Sequence, residues 1–382
     1  PLAQLVEHFP FKEGVIGSNP IRLTKNMRDL IKFYKNKKIL VTGATGFKGA
    51  WLCSLLLKMG AKVYGAGFTP NKNKHLFYSL SLNKKIKLKL FDIRNLDKLY
   101  KFIKFSKPSI IFHLAAQPLV IESYKKPLFT FDVNARGTLN ILEASKSLNY
   151  VRSIVLITSD KCYKNIGDYK KKYSEKDILG GLDPYSASKA SAELIINSYR
   201  DSILKNRKNC GISSARAGNV IGGGDWSPNR LIPDCIKSIM NKSKIKIRNP
   251  NSNRPWQFVL EPLKGYLILA KKQYKNPKLY SSSWNFGPEY KSKKSVLEIV
   301  KFIINYWGFG SMKIQKSKKF HEDHYLQLDI EKAKKYLKWK PVYDVEKSVH
   351  VTIDWYHKVF KNKENSIDVT NDQIDQYISD NY

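Results

Sequence analysis

The sequence predicts an α/β fold: a doubly wound, Rossmann-type parallel sheet followed by a smaller C-terminal α/β lobe that binds substrate. Three observations predict it. Short apolar, β-branched runs alternate with helical patterns through the first half of the 382-residue chain. The first of these runs leads straight into a glycine-rich turn and then a helical segment. Beyond about Gly222 the alternation loosens, and Gly, Pro and aromatic residues become more frequent.

The strand-like runs are KILVTG (38–43), AKVYGAG (61–67), KIKLKLFD (85–92), SIIFHLA (109–115), SIVLITS (153–159) and GISSARAG (211–218). The helical patterns between them are FKGAWLCSLLLKMG, NLDKLYKFIKFS, LFTFDVNARGTLNILEASKSL and DPYSASKASAELIINSYR. Strands alternating with helices imply a parallel sheet covered on both faces. The organisation expected is a dinucleotide-binding domain over 36–221 and a second lobe over 222–360, with chain exchange between them as an option. Residues 361–382 read as a polar tail, poor in apolar pattern. Residues 1–26 precede the first methionine, Met27, and resemble the stray translation of a transfer-RNA gene ahead of a reading frame. They are expected to carry no fold information, with translation starting at Met27.

Composition narrows the function classes. No uninterrupted apolar run reaches the length of a membrane-spanning helix, and no secretory signal is legible. The four cysteines, Cys53, Cys162, Cys210 and Cys235, are widely spaced with no CxxC pair. That pattern fits a reduced cytoplasmic protein without a metal site. The formal charge of +36 raises nucleic-acid binding. The lysines, however, are spread along the whole chain, as solvated surface charge would be. Arginine, the better phosphate ligand, is scarce, and Arg216, Arg230, Arg248 and Arg254 gather in one region. That clustering points to a small phosphate ligand rather than to nucleic acid.

The motif VTGATGFKG places Gly43, Gly46 and Gly49 in a GxxGxxG spacing between a strand and a helix. Glycines there allow a tight turn and let backbone N–H groups approach a pyrophosphate at the helix N-terminus. Thr45, Phe47 and Lys48 belong to the same turn and are cofactor-binding candidates. An Asp or Glu that would hold the ribose hydroxyls of NAD is missing after the second strand: no acidic residue lies between Gly43 and Phe91. The choice between NAD and NADP therefore stays open on residue chemistry. Asp92 and Ile93, after the third strand, suit contacts to the adenine amine. In YSASK, Tyr185 and Lys189 stand at i and i+4, on one helix face. A cation beside a phenol lowers the phenol's pKa and equips it to exchange a proton with a sugar hydroxyl.

These motifs resemble the extended short-chain dehydrogenase/reductase superfamily, which acts on nucleotide sugars. FHLAAQ (112–117) is similar to its loop beside the cofactor, which implies cofactor contacts from Leu114, Ala115, Ala116 and Gln117, and from Thr158. TGFKGAWL, HLAAQPLV, TSDKCY, LGGLDPYSASKASAEL, SARAGNVIGGGDW, RLIPD, RNPNSNRPWQFVLEPLKGYL and WNFGP resemble the CDP-glucose 4,6-dehydratase family in particular. Related dehydratases acting on TDP- and GDP-sugars carry Glu where this branch has Lys, and Lys161 matches the branch.

The resemblance implies NAD as cofactor, a CDP-glucose substrate and a homodimer formed through two helices of the first lobe. It implies Tyr185 as the base for the C4 hydroxyl, with Lys189 on the nicotinamide ribose and Ser159 on the C4 oxygen. Asp160 becomes the acid for the departing 6-hydroxyl and Lys161 the base at C5. Substrate contacts are implied for Asn219, Arg230, Arg248 and Arg254, with Arg216 on a matching motif and Trp256 near the base. Two positions depart from the family pattern: Ile121 stands where arginine is usual and Phe258 where histidine is usual. Another nucleotide-sugar dehydratase or a 4-epimerase on the same scaffold, and a non-catalytic dinucleotide-binding regulator, are the competing readings.

Overall fold

The computed structural model describes residues 25–68, 76–168, 170–289, 294–314 and 326–381. Residues 1–24 lie outside this set, as does the stretch 69–75 behind the second strand where a ribose-binding group would be sought.

Seven strands form one sheet: β1 (Lys38–Thr42), β2 (Lys62–Gly67), β3 (Lys87–Leu90), β4 (Ile110–His113), β5 (Ser153–Ile157), β6 (Gly211–Ala217) and β7 (Ser283–Phe286). Their spatial order is β7-β6-β5-β4-β1-β2-β3. Every neighbouring pair is parallel. The pleat explains why these strands read as continuous apolar runs. Ile39, Val41, Ile110, Phe112, Val155 and Ile157 point into one core, while Leu40, Ile111, Ile154 and Leu156 point into the other. Both faces of the central strands are covered, so most of their positions are apolar.

Strand order reverses between β1 and β4. That switch point opens a crevice at the carboxyl ends of the strands, where an open α/β sheet binds its ligand. The glycine turn, the 114–117 loop and the Thr158 segment all leave the sheet at this edge.

The second lobe contains helices Leu231–Met240, Val296–Trp307 and Val345–Tyr356. Two short parallel pairings accompany them, Val220–Ile221 with Gln257–Phe258 and Ile245–Ile247 with Met312–Ile314. β7 lies beyond residue 222 and closes the edge of the main sheet beside β6.

Two expected boundaries need correction. Folded structure begins before residue 36, with a helix at Lys25–Tyr34 whose Met27, Leu30 and Tyr34 are buried. The Tyr34 hydroxyl donates to the carbonyl of Leu267, 2.8 Å away. The stretch 361–382 is not a polar tail. Ser366–Ser379 is a docked helix with Val369, Thr370, Ile374, Tyr377 and Ile378 buried. Its apolar stripe is narrow and includes a threonine and a tyrosine, so composition hid it. The Tyr377 hydroxyl and the backbone N–H groups of Val342 and Tyr343 all donate to the buried carboxylate of Glu261.

Candidate active site

The glycines of the first turn have three different duties. Gly43 has φ +71°, and a Cβ there would lie 2.6 Å from the Ala115 nitrogen. Only glycine allows the turn and the 114–117 loop to touch. A Cβ on Gly49 would lie 2.1 Å from the Gly43 carbonyl oxygen, so this position sets how tightly the turn folds over helix Phe47–Lys58. Gly46 is exposed, and its Cβ would meet only the Gly43 carbonyl oxygen, at 3.3 Å. This open face at a helix N-terminus is the shape a dinucleotide pyrophosphate fits.

Thr42 and His113 close the switch point from beneath, with the Thr42 hydroxyl 2.7 Å from His113 Nδ1. Burial, reinforced by the charge of Lys189, holds His113 down to about 3, so its ring is neutral. The 114–117 loop is organised by Asn134. Its Oδ1 accepts from the Gln117 N–H at 2.8 Å, and its Nδ2 donates to the Gln117 carbonyl and to Ser188 Oγ. Asn134 thus ties the cofactor loop to the Tyr185 helix. Nothing in the sequence singles Asn134 out, since Asp132 and Arg136 flank it in the same helical stretch.

That helix, Pro184–Ser198, starts on a favourable signal: Asp183 caps it by accepting from the Ser186 N–H at 3.0 Å, and Pro184 takes the first turn. Tyr185 and Lys189 are both buried and lie one turn apart, with the Lys189 ammonium 6.0 Å from the Tyr185 ring centroid. Facing them is the turn Asp160–Cys162. Ser159 Oγ donates to Asp160 Oδ1 at 2.8 Å, and the same oxygen accepts from the Lys161 N–H at 2.9 Å. Gly218 walls Asp160 in: a Cβ there would lie 1.9 Å from Asp160 Oδ2.

The electrostatics differ from the expectation for the phenol. Burial pushes Tyr185 up to about 12; the Ser159 hydroxyl and the charge of Arg230 oppose the rise, while Asp160 and Asp183 add to it. Lys189 is therefore not the dominant influence on the phenol in this state. Burial pulls Lys189 itself down to about 8, against the charge of Glu193. Lys48 reaches the same cleft. Burial, then the charges of Lys189 and Arg230, draw it down to about 7, while Asp160 acts the other way. Three cations and one carboxylate therefore converge where the glycine turn, the Asp160 turn and the Tyr185 helix meet.

The second-lobe candidates divide. Arg230 sits at the entry of Leu231–Met240, half-buried, with Asp225 Oδ2 3.2 Å away, and its charge is felt by Tyr185 and Lys48. Asn219 is exposed in a left-handed conformation at φ +49°. Arg248 is exposed and Arg254 half-buried. Arg216 is a correction. It lies inside β6, 1% exposed, paired with Glu193 at 2.6 Å, and cannot face a diphosphate. Trp256 is buried in the core at 5% exposure. Phe258 is fully buried against Trp51, Tyr343 and Tyr377, so its departure from the family pattern alters packing under the C-terminal helix and not a substrate contact. Ile121 is half-buried on Val120–Lys125. The Asp92 carboxylate is forked by Arg94 at 2.8–3.1 Å, and Ile93 is buried. The Thr158 hydroxyl donates to Glu193.

A doubly wound sheet, a glycine turn at its switch point and a Tyr–Lys helix beside it define an extended short-chain dehydrogenase/reductase. The family model described as GDP-mannose 4,6 dehydratase matches residues 40–352. The chain belongs to that family. It is similar to a CDP-glucose 4,6-dehydratase of Salmonella typhimurium, with 41% identity over 91% of this chain and 98% of the relative. Two solved structures share the fold. One is the epimerase Mth375 of Methanothermobacter thermautotrophicus, with TM-score 0.75 and 23% identity over 88% of this chain and 97% of that one. The other is a dTDP-glucose 4,6-dehydratase of Bacillus anthracis in complex with NAD, with TM-score 0.70 and 22% identity over 85% and 97%.

Proposed function

We propose that this protein is an NAD-dependent CDP-glucose 4,6-dehydratase, which converts CDP-glucose to CDP-4-dehydro-6-deoxyglucose. The observation that carries the reading is the Ser159–Asp160–Lys161 turn facing Tyr185 and Lys189 at the carboxyl edge of β5. A 4-epimerase needs the Tyr–Lys pair but no second acid–base pair. The 41% identity across nearly the whole Salmonella enzyme supports the dehydratase and the cytidine nucleotide together.

NAD, when bound, supplies an acceptor and donor for hydride. The turn Gly43–Gly49 would hold its pyrophosphate, and Lys189 its nicotinamide ribose. The protein's own groups handle the protons. Tyr185, once ionised, takes the proton of the C4 hydroxyl, whose oxygen Ser159 steadies. The resulting ketone acidifies the hydrogen at C5. Lys161 removes that hydrogen while Asp160 protonates the departing C6 hydroxyl. Lys161 then returns the proton to C5. Arg230 and Arg254 grip the diphosphate, where forked charge-assisted bonds suit arginine.

Exposed Leu128, Phe131 and Leu194 on the first-lobe helices support a homodimer through that face. Free buried cysteines support a cytoplasmic setting, and among the described residues no helix is long and apolar enough to cross a membrane. The test is incubation with CDP-, TDP-, UDP- and GDP-glucose, followed by the alkali-induced absorbance of a 4-keto sugar. Turnover confined to CDP-glucose is expected. Epimerised product without that absorbance would sink the dehydratase reading.

A further inference from the structure

A buried ion pair outside the proposed chemistry joins the two halves of the site. Glu193 stands one turn beyond Lys189, in line with Tyr185 and Lys189 on the same helix. It is fully buried, and Arg216 on β6 lies against it, also buried. Each partner holds one end of the turn that carries Ser159, Asp160 and Lys161. The Thr158 hydroxyl donates to Glu193 Oε1 at 2.5 Å. Arg216 donates from one terminal nitrogen to Glu193 Oε2 at 2.6 Å and from the other to the Tyr163 hydroxyl at 2.7 Å. Ser214 on β6 adds a third donor to Glu193 at 2.7 Å. The Tyr163 hydroxyl in turn donates to Asn285 Oδ1 on β7, 2.8 Å away.

Between these ends the turn makes hydrogen bonds within itself and one to Gly180, whose N–H donates to the Cys162 carbonyl at 2.9 Å. Asp160 accepts from its neighbours Ser159 and Lys161, and Gly218 only walls it in. The distance from Asp160 and Lys161 to Tyr185 therefore depends on where Thr158 and Tyr163 are anchored. A buried charge pair contributes little net stability compared with apolar residues of the same volume, but its geometry is directional.

We propose that the Glu193–Arg216 ion pair is a positioning device that pins both ends of the acid–base turn, Thr158 through Glu193 and Tyr163 through Arg216, against the helix bearing Tyr185 and Lys189. The role belongs to residues that touch neither sugar nor cofactor. A purely structural pair would affect the protein as a whole. A positioning pair acts on the turn, and it acts on the step that needs Asp160 and Lys161 more than on the step that needs Tyr185.

Thr158→Val and Tyr163→Phe test this without breaking the pair itself. Each removes one hydroxyl at nearly constant shape, and Thr158→Ser restores the bond. The first measurement is amide hydrogen exchange of peptides covering 158–163 in the protein without substrate. Thr158→Val, which loses one hydrogen bond, should exchange there about 10-fold faster, and Tyr163→Phe, which loses two, at least as fast, with the rest of the sheet unchanged and Thr158→Ser like the wild type. The second rests on the dehydratase reading. In single turnovers with CDP-glucose, product formation should fall about 10-fold more than the appearance of NADH. Exchange at 158–163 equal to the wild type in both variants, or faster exchange spread evenly over the sheet, overturns the proposal. So does an equal loss in both steps. If the wild type makes no 4-keto sugar from CDP-glucose, the dehydratase reading fails by itself, and the exchange measurement still decides the pinning.

Discussion

The two sides of the cleft are built on opposite plans. On the first-lobe side Ser159, Asp160, Tyr185 and Lys189 are all buried on elements anchored in the sheet. On the second-lobe side Arg230 and Arg254 are half-buried and Arg248 is exposed, at helix starts and in loops. Arg216 makes the contrast sharp. It is close in sequence to Arg230, but it lies within a strand covered on both faces and its guanidinium binds Glu193 and Tyr163. Proton transfer needs atoms held to a fraction of an ångström, and burial provides that. Capture of a diphosphate needs accessible charge on side chains that can close over it. The same residue type serves both plans, and burial decides which.

Substitutions on the two sides should therefore fail differently. The largest effect is expected from Lys161→Met, which should slow release of dehydrated product by about 10²–10⁴-fold. NADH should still form on mixing with CDP-glucose, and solvent deuterium should no longer enter C5. Tyr185→Phe should stop the reaction before NADH appears. If Lys161→Met keeps deuterium exchange and Lys48→Met loses it, the base is Lys48, whose amine is drawn down to about 7 in the same cleft.

Gly218→Ala comes next. Its methyl group would lie 1.9 Å from Asp160 Oδ2, so the carboxyl group must move. A displacement of that size costs on the order of 10²-fold in rate. The loss should fall on kcat, with KM for CDP-glucose little changed.

Arg230→Met, on the open side, should raise KM for the sugar nucleotide about 10–100-fold, the range of a charged hydrogen bond. Its kcat should change less than in either variant above. A pure kcat defect would place Arg230 with the proton-transfer groups instead.

The pH profile offers a smaller effect. Lys189 has its pKa lowered to about 8 by burial, so its charge is present below that value and lost as pH rises through it. The kcat/KM for CDP-glucose should fall on the alkaline side from about pH 8. A profile flat to pH 10 would show that Lys189 charge is not required.

The smallest effect belongs far from the cleft. Tyr377→Phe removes one donor from the buried Glu261 carboxylate. It should lower unfolding free energy by about 1–3 kcal/mol in denaturant titration and leave kcat untouched.

The alternating strands and helices of the first half were legible because each is a local pattern. A strand buried on both faces is continuously apolar, and the helix after the glycine turn follows the turn that starts it. The GxxGxxG and YxxxK spacings were legible for the same reason: their geometry is set within a few residues. Glu193 was not. Beside Lys189 at i+4 it reads as an ordinary surface ion pair, whereas the fold turns it inward to Arg216, 23 positions further along. Asn134, Gly218 and the helix Ser366–Ser379 escaped similarly, since each matters through a partner distant in sequence.

The sequence by itself determined the alternating strands of the sheet and the place of the glycine turn, because short-range sterics suffice for those, and it offered Tyr185, Asp160 and Lys161 as candidates for proton transfer. Only the tertiary structure decided that β7 crosses back into the first sheet. It also decided that Phe258 belongs to packing, that Arg216 pairs with Glu193 inside the fold and that Arg230 faces the cleft. Burial and pairing arise when distant segments meet, and they determine whether a charge is available to a ligand or already neutralised inside the fold.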